Sequence, residues 1–134
     1  MPSADLDAAA DEAVKGRMLN NGQSCIAAKR FIIHADIYEQ VKSKLIEKFE
    51  SLKIGDPMDE DTDMGPLATA RMRDDLEDQV SKTVKAGATK LTGCESVSGQ
   101  GYFYKPGILE DIPENSPAAQ DELFGPIASL FKAE

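Results

Sequence analysis

The sequence predicts an α/β domain with a largely parallel sheet flanked by helices, and three observations predict it. Segments with helical apolar spacing alternate with short runs of strand character. The helical segments stop at Asn-Asn-Gly or Ala-Gly-Ala signals, or at glycine- and proline-bearing loops. The last segment is a strand with no helix after it. Because sheets of this class are covered on both faces, the domain reads as truncated there. The chain has 134 residues, enough for one core, and 1–134 is taken as one partial domain.

The elements follow in order. Residues 5–19 form a first helix: Leu6, Ala9, Ala10, Ala13, Val14 and Met18 share one face, and Asp5 and Asp7 lie near its positive end. Asn20, Asn21 and Gly22 supply a stop and a turn. Arg30-Phe31-Ile32-Ile33 is a buried strand. Residues 36–53 repeat Ile37, Tyr38, Val41, Leu45, Phe49 and Leu52 at helical spacing, with Asp36 as the expected N-cap. Residues 54–66 are an acidic loop bracketed by Gly55, Pro57, Gly65 and Pro66.

A third helix spans 69–86, with Met72, Leu76, Val80 and Val84 four apart. A strand at 88–92 leads into a glycine-rich loop at 93–101. The next strand, 102–109, is interrupted by Pro106 and Gly107, which suggests an edge strand or a bulge. The segment 110–126, with Pro113, Pro117 and Pro126, is irregular. Ile127 to Lys132 is the closing strand.

Composition narrows the function. The net charge of -9, spread along the chain, repels phosphate backbones and disfavours nucleic-acid binding. No apolar run approaches the ~18 residues of a membrane span. The first residues lack a basic and apolar leader, so the simplest address is the cytoplasm. Cys25, Cys94 and His34 are too few and too scattered for a zinc site, so no metal is expected.

Cys25 is the residue best placed for chemistry. It follows a helix stop in a turn-rich segment, where a rigid scaffold can aim an exposed side chain. A lone cysteine is also commonly a small buried hydrophobe, and that reading suits Cys94. Gly99-Gln100-Gly101 lacks the third glycine and following helix of a dinucleotide fingerprint.

The motif around Cys25 goes further. Asn20-Asn21-Gly22-Gln23-Ser24-Cys25 resembles the active-site signature of aldehyde dehydrogenases, and Glu122-Leu123-Phe124-Gly125-Pro126 resembles that family's Glu-x-Phe-Gly-Pro motif. Gly55-Asp56-Pro57, Gly65-Pro66 and the stretch from Tyr102-Phe103 to Pro106 match the pattern between them. The run from Cys25 to Phe31 is similar to the succinate-semialdehyde dehydrogenase branch.

The resemblance implies part of the catalytic domain of an NAD- or NADP-dependent enzyme. Cys25 would attack an aldehyde as thiolate, with its own backbone N–H helping to hold the oxyanion. Glu122 would hydrogen-bond the nicotinamide ribose and Phe124 would pack beside the cofactor. Asn20, Gly22 and Gln23 would support the loop. Without the resemblance, Glu122 is one of 24 acids, Phe124 a core aromatic, and Asn20 to Gly22 turn chemistry.

The family's pattern also implies parts that these residues do not match: a nucleotide-binding domain, a general-base glutamate, an oxyanion-hole asparagine and an oligomerisation arm. The 134 residues alone are therefore expected to be inactive, and to self-associate through uncovered apolar surface, while the parent is expected to be a homo-oligomer. Some succinate-semialdehyde enzymes hold the substrate carboxylate with an arginine where this chain has Leu19. Either another cation such as Arg17 or Lys29 serves, or the aldehyde is a different one. Two other readings remain open: a non-catalytic α/β interaction module, and a thiol-redox protein, the latter disfavoured because no resolving cysteine is near Cys25 in sequence.

Overall fold

The Asp5 carboxylate starts the first helix by accepting from the N–H groups of Asp7 and Ala8, both at 3.1 Å. Helix α1 (Leu6–Met18) turns Ala10 and Arg17 inward. It gives way to a tight 3-10 turn in which Asn20, Asn21 and Gly22 all adopt left-handed backbone, with φ of 53°, 57° and 75°. The computed structural model describes residues 1–134.

Strand β1 (Arg30–His34) follows, then a 3-10 turn at Ala35–Ile37 and helix α2 (Tyr38–Glu50). The expected cap at Asp36 is corrected: His34 Nδ1 accepts from the Asp36 N–H at 3.2 Å, and the extra turn moves the helix start to Tyr38. Leu52 lies beyond the helix. Helix α3 (Ala70–Ala86) is capped by Thr69 Oγ1, which accepts from the Met72 N–H, and ends at Gly87 with φ 127°.

The glycine-rich region and the strand after it differ from expectation. Strand β2 (Thr89–Thr92) is followed by β3 (Glu95–Ser96), inside the stretch read as loop. β3 pairs antiparallel with β4 (Tyr104–Lys105) as a separate ribbon. Then β5 (Gly107–Glu110) joins the main sheet. The interrupted strand at 102–109 is thus two strands in two sheets, and β5 is interior rather than an edge. Pro106 has no N–H to give and sits where the chain changes sheets. Gly107 is required there, because a Cβ would lie 2.3 Å from both the backbone nitrogen and the Sγ of Cys94. The segment read as irregular contains a short helix, α4 (Pro117–Gln120), before β6 (Ile127–Ala133).

The four-stranded sheet runs β1-β6-β5-β2, with β6 parallel to both β1 and β5, and β2 antiparallel at the far edge. It is the expected α/β layer, largely parallel and flanked by helices. β6 is covered despite having no helix after it, because earlier elements flank it. Alternation sends Ala128 and Leu130 into a core with Ile33, Leu45 and Phe49 under α1 and α2. Ile127 goes the other way, with Leu76, Val80 and Leu123 under α3. Each of the larger side chains among these contributes about 1.5–3 kcal/mol when fully buried. The uncovered part is the outer edge: Ile32 on β1 is 74% exposed. No helix is long and apolar enough to cross a membrane.

Candidate active site

Two loops run into neighbouring strands from the same end. Residues 23–29 lead into β1 and residues 121–126 lead into β6. The two strands are parallel, with Arg30 opposite Ser129, so the loops lie side by side. They share an open cleft of about 330 Å³ lined by Cys25, Lys29, Arg30, Gln120, Asp121 and Glu122, among others. The cleft therefore stands at the amino ends of these strands.

The loop carrying Cys25 is fixed from several sides. The Asn20 side-chain amide donates to the Gln23 carbonyl at 3.1 Å, and the Gln23 N–H donates back to the Asn20 carbonyl at 3.0 Å. Asn21 Nδ2 donates to the Pro66 carbonyl, and Gln23 Oε1 accepts from the Ala68 N–H at 2.8 Å. These two bonds tie the turn to the chain ahead of α3. Gly22 is pressed against the second loop: a Cβ there would lie 2.2 Å from the Gly125 carbonyl oxygen.

Beneath the turn, Arg17 is fully buried and its Nη2 donates to the Gly22 carbonyl at 2.6 Å. Its Nε and Nη1 have no partner. Desolvation lowers the guanidinium to about 10, opposed by the negative charge of Glu122, so it remains cationic near neutral pH.

Lys29 bridges the two loops. Its ammonium donates to the carbonyls of Ser24 at 2.8 Å, Ala27 at 2.9 Å and Cys25 at 3.4 Å. It also pairs with Glu122 Oε1 at 2.8 Å.

The cysteines have opposite environments. Cys25 is exposed in the cleft, and nothing in the protein accepts from its backbone N–H. Cys94 is buried in the core under α3, and desolvation pushes its thiol up to about 12, which makes it inert near neutral pH.

Of the residues singled out from sequence, Cys25 and Glu122 meet in one cleft, and Asn20, Gly22 and Gln23 form the turn before Cys25. Phe124 is half-buried and is not among the residues lining the cleft. Leu19 is exposed and also lies outside the lining. Arg17 is buried and out of reach of a substrate carboxylate, whereas Lys29 lines the cleft but is already paired with Glu122. The bond from Arg17 to the turn went unseen in the sequence, although a signal existed: Arg17 stands seven residues after Ala10, on the buried stripe of α1.

The whole of residues 1–134 matches the profile of the aldehyde dehydrogenase family. The chain is 50% identical over 133 residues to the succinate-semialdehyde dehydrogenase (NADP(+)) of Mycobacterium avium, which covers 99% of this chain and 28% of that protein. It is 51% identical over 133 residues to the enzyme of the same name from Mycobacterium leprae, covering 99% of this chain and 29% of that protein. Among solved structures, the NAD+ complex of an aldehyde dehydrogenase from Bacillus cereus superposes with a TM-score of 0.95 at 31% identity, over 100% of this chain and 27% of that one. A 3,6-anhydro-L-galactose dehydrogenase in complex with NAP also gives 0.95, at 33% identity, over 100% of this chain and 29% of that one. The chain thus spans somewhat more than a quarter of the length of these relatives. With the whole segment matched in sequence and in fold, the chain belongs to the aldehyde dehydrogenase family.

Proposed function

We propose that this segment carries the nucleophile and one cofactor contact of an enzyme that oxidises an aldehyde to the acid with NAD or NADP. The observation that carries the reading is the shared cleft: an exposed thiol and a half-exposed carboxylate, held on adjacent loops by a common lysine. The relatives named as NADP(+)-dependent succinate-semialdehyde dehydrogenases make succinate semialdehyde the first substrate to assay.

The residues fit the cofactor at the one point they offer. Glu122 has one oxygen on Lys29 and a side chain 48% exposed on the cleft, so its carboxylate can accept from a ribose diol. Phe124, next but one along the same loop, flanks that position in this reading.

The chemistry follows from the thiol. The Cys25 thiolate attacks the carbonyl carbon; a C–S bond forms and the carbonyl π pair moves to oxygen. The free N–H of Cys25 donates to that oxyanion. A nicotinamide held at Glu122 would supply the two-electron acceptor for the hydride on that carbon, so that Cys25, which carries the substrate as a thiohemiacetal, would then hold it as a thioester. Water then releases the acid and returns the thiol, a good leaving group. The left-handed turn at Asn20, Asn21 and Gly22 keeps Cys25 aimed into the cleft throughout. By itself the 134-residue segment is proposed not to turn over.

The test is a chimera in which residues 1–134 replace the matching segment of the Mycobacterium avium enzyme. NADPH formation from succinate semialdehyde is expected, with Cys25→Ser abolishing it and Glu122→Gln raising the KM for cofactor. A folded but inactive chimera would overturn the proposal.

A further inference from the structure

Lys29 has no part in the chemistry described above, yet it makes more polar contacts than any other side chain at the cleft. Three of its acceptors are backbone carbonyls of the Cys25 loop and the fourth is the Glu122 carboxylate. An ammonium has three protons, so these contacts are shared. Its side chain is 18% exposed, against 48% for Glu122, so the lysine is the anchored member of the pair.

The carbonyls of Ser24 and Ala27 bracket the cysteine. The Ala27 N–H also closes back on the Ser24 carbonyl at 3.1 Å, which makes residues 24–27 a single tight turn around the charge. Without the lysine the Cys25 and Ala27 carbonyls would lose their donor, and the Ser24 carbonyl would keep only the Ala27 N–H. The second loop meets the chain around this turn at the backbone contact of Gly22 with Gly125 and at the Lys29 ion pair.

We infer that Lys29 is a positioning residue that sets the Glu122 carboxylate against the Cys25 turn, so that the cofactor contact and the nucleophile keep one fixed spacing. This rests on the proposed roles of Cys25 and Glu122. The bridge itself is a property of the chain and can be measured without turnover.

The experiment uses the 134-residue chain and three variants: Lys29→Met, Lys29→Arg and Glu122→Gln. Amide hydrogen exchange is followed at residues 24–27 and 121–125, and Cys25 alkylation is followed with neutral iodoacetamide and anionic iodoacetate. Lys29→Met is expected to speed exchange in both loops while β6 stays protected. Glu122→Gln is expected to speed exchange at 24–27, across the bridge, and to raise the iodoacetate-to-iodoacetamide rate ratio about two- to threefold by freeing the ammonium charge. Lys29→Met is expected to lower that ratio, and Lys29→Arg to restore it. The inference is overturned if Glu122→Gln leaves the 24–27 exchange unchanged, or if Lys29→Arg behaves like Lys29→Met in the rate ratio. An inactive chimera with these shifts intact would sink the catalytic reading alone.

Discussion

Gly22 and Gly125 are in backbone contact: a Cβ on Gly22 would stand 2.2 Å from the Gly125 carbonyl oxygen and 2.4 Å from its carbonyl carbon. Gly22 precedes the proposed nucleophile by three residues and Gly125 follows the proposed cofactor carboxylate by three. The contact leaves no room for a side chain on Gly22.

Gly22→Ala is therefore expected to be severe. It adds a Cβ at φ 75° and forces it into backbone that cannot rotate away. A loss of at least about 2 kcal/mol of stability is expected. Urea denaturation of the variant against the wild type measures it.

Arg17→Met should separate stability from loop order. It removes a buried guanidinium with two unpartnered nitrogens and also the donor to the Gly22 carbonyl. Replacing a poorly paired buried charge by an apolar chain of similar length is often near neutral, so global stability should change by no more than about 1 kcal/mol. Exchange of the amides at 22–25 should nonetheless quicken, because the carbonyl that Arg17 holds is released. Denaturation and hydrogen exchange on the same samples check both halves.

The buried thiol gives a pH signature. The folded state holds Cys94 at about 12, above its ordinary value of 9.0. An acid whose folded pKa is raised contributes no penalty below the unfolded value, and it loses stability as pH climbs from there towards the folded value. Between pH 9 and 12 this group should lower stability by about 1.4 kcal/mol per pH unit. The buried hydroxyls of Tyr38 and Tyr104, also raised by burial, add to the slope at the upper end. Cys94→Ala should flatten it, as read from denaturation midpoints across that range. Iodoacetamide near neutral pH should modify Cys25 and reach Cys94 only in denaturant.

The free edge of β1 predicts association. Ile32 is 74% exposed on a strand whose outer side has no partner in the sheet. The 134-residue chain is expected to self-associate with rising concentration, and Ile32→Glu to suppress this. Light scattering on a sizing column measures both.

Most of the fold was legible because α2 and α3 carry apolar residues at helical spacing and β1 and β6 are short apolar runs. Pro106 with Gly107 reads in sequence as the mark of an edge strand or a bulge, whereas it marks a change of sheet. Local pattern tells that a proline interrupts a ladder and not which ladders lie on either side of it. Residue type marks Asp36 as a cap, but the His34 ring accepts from the Asp36 N–H, a competition between neighbours that residue type alone does not rank. In the site, Cys25 and Glu122 could be named because short motifs surround them. Their closeness in space is a consequence of β1 pairing parallel to β6 across about a hundred residues, and the bridging role of Lys29 depends on that pairing.

The most direct test of Cys25 as nucleophile is rapid-quench mass spectrometry of the chimera during oxidation of succinate semialdehyde. A transient acyl adduct is expected on the peptide containing Cys25, formed in step with NADPH and absent from Cys25→Ser. NADPH formation with no adduct on that peptide, or with the adduct on another residue, would contradict it.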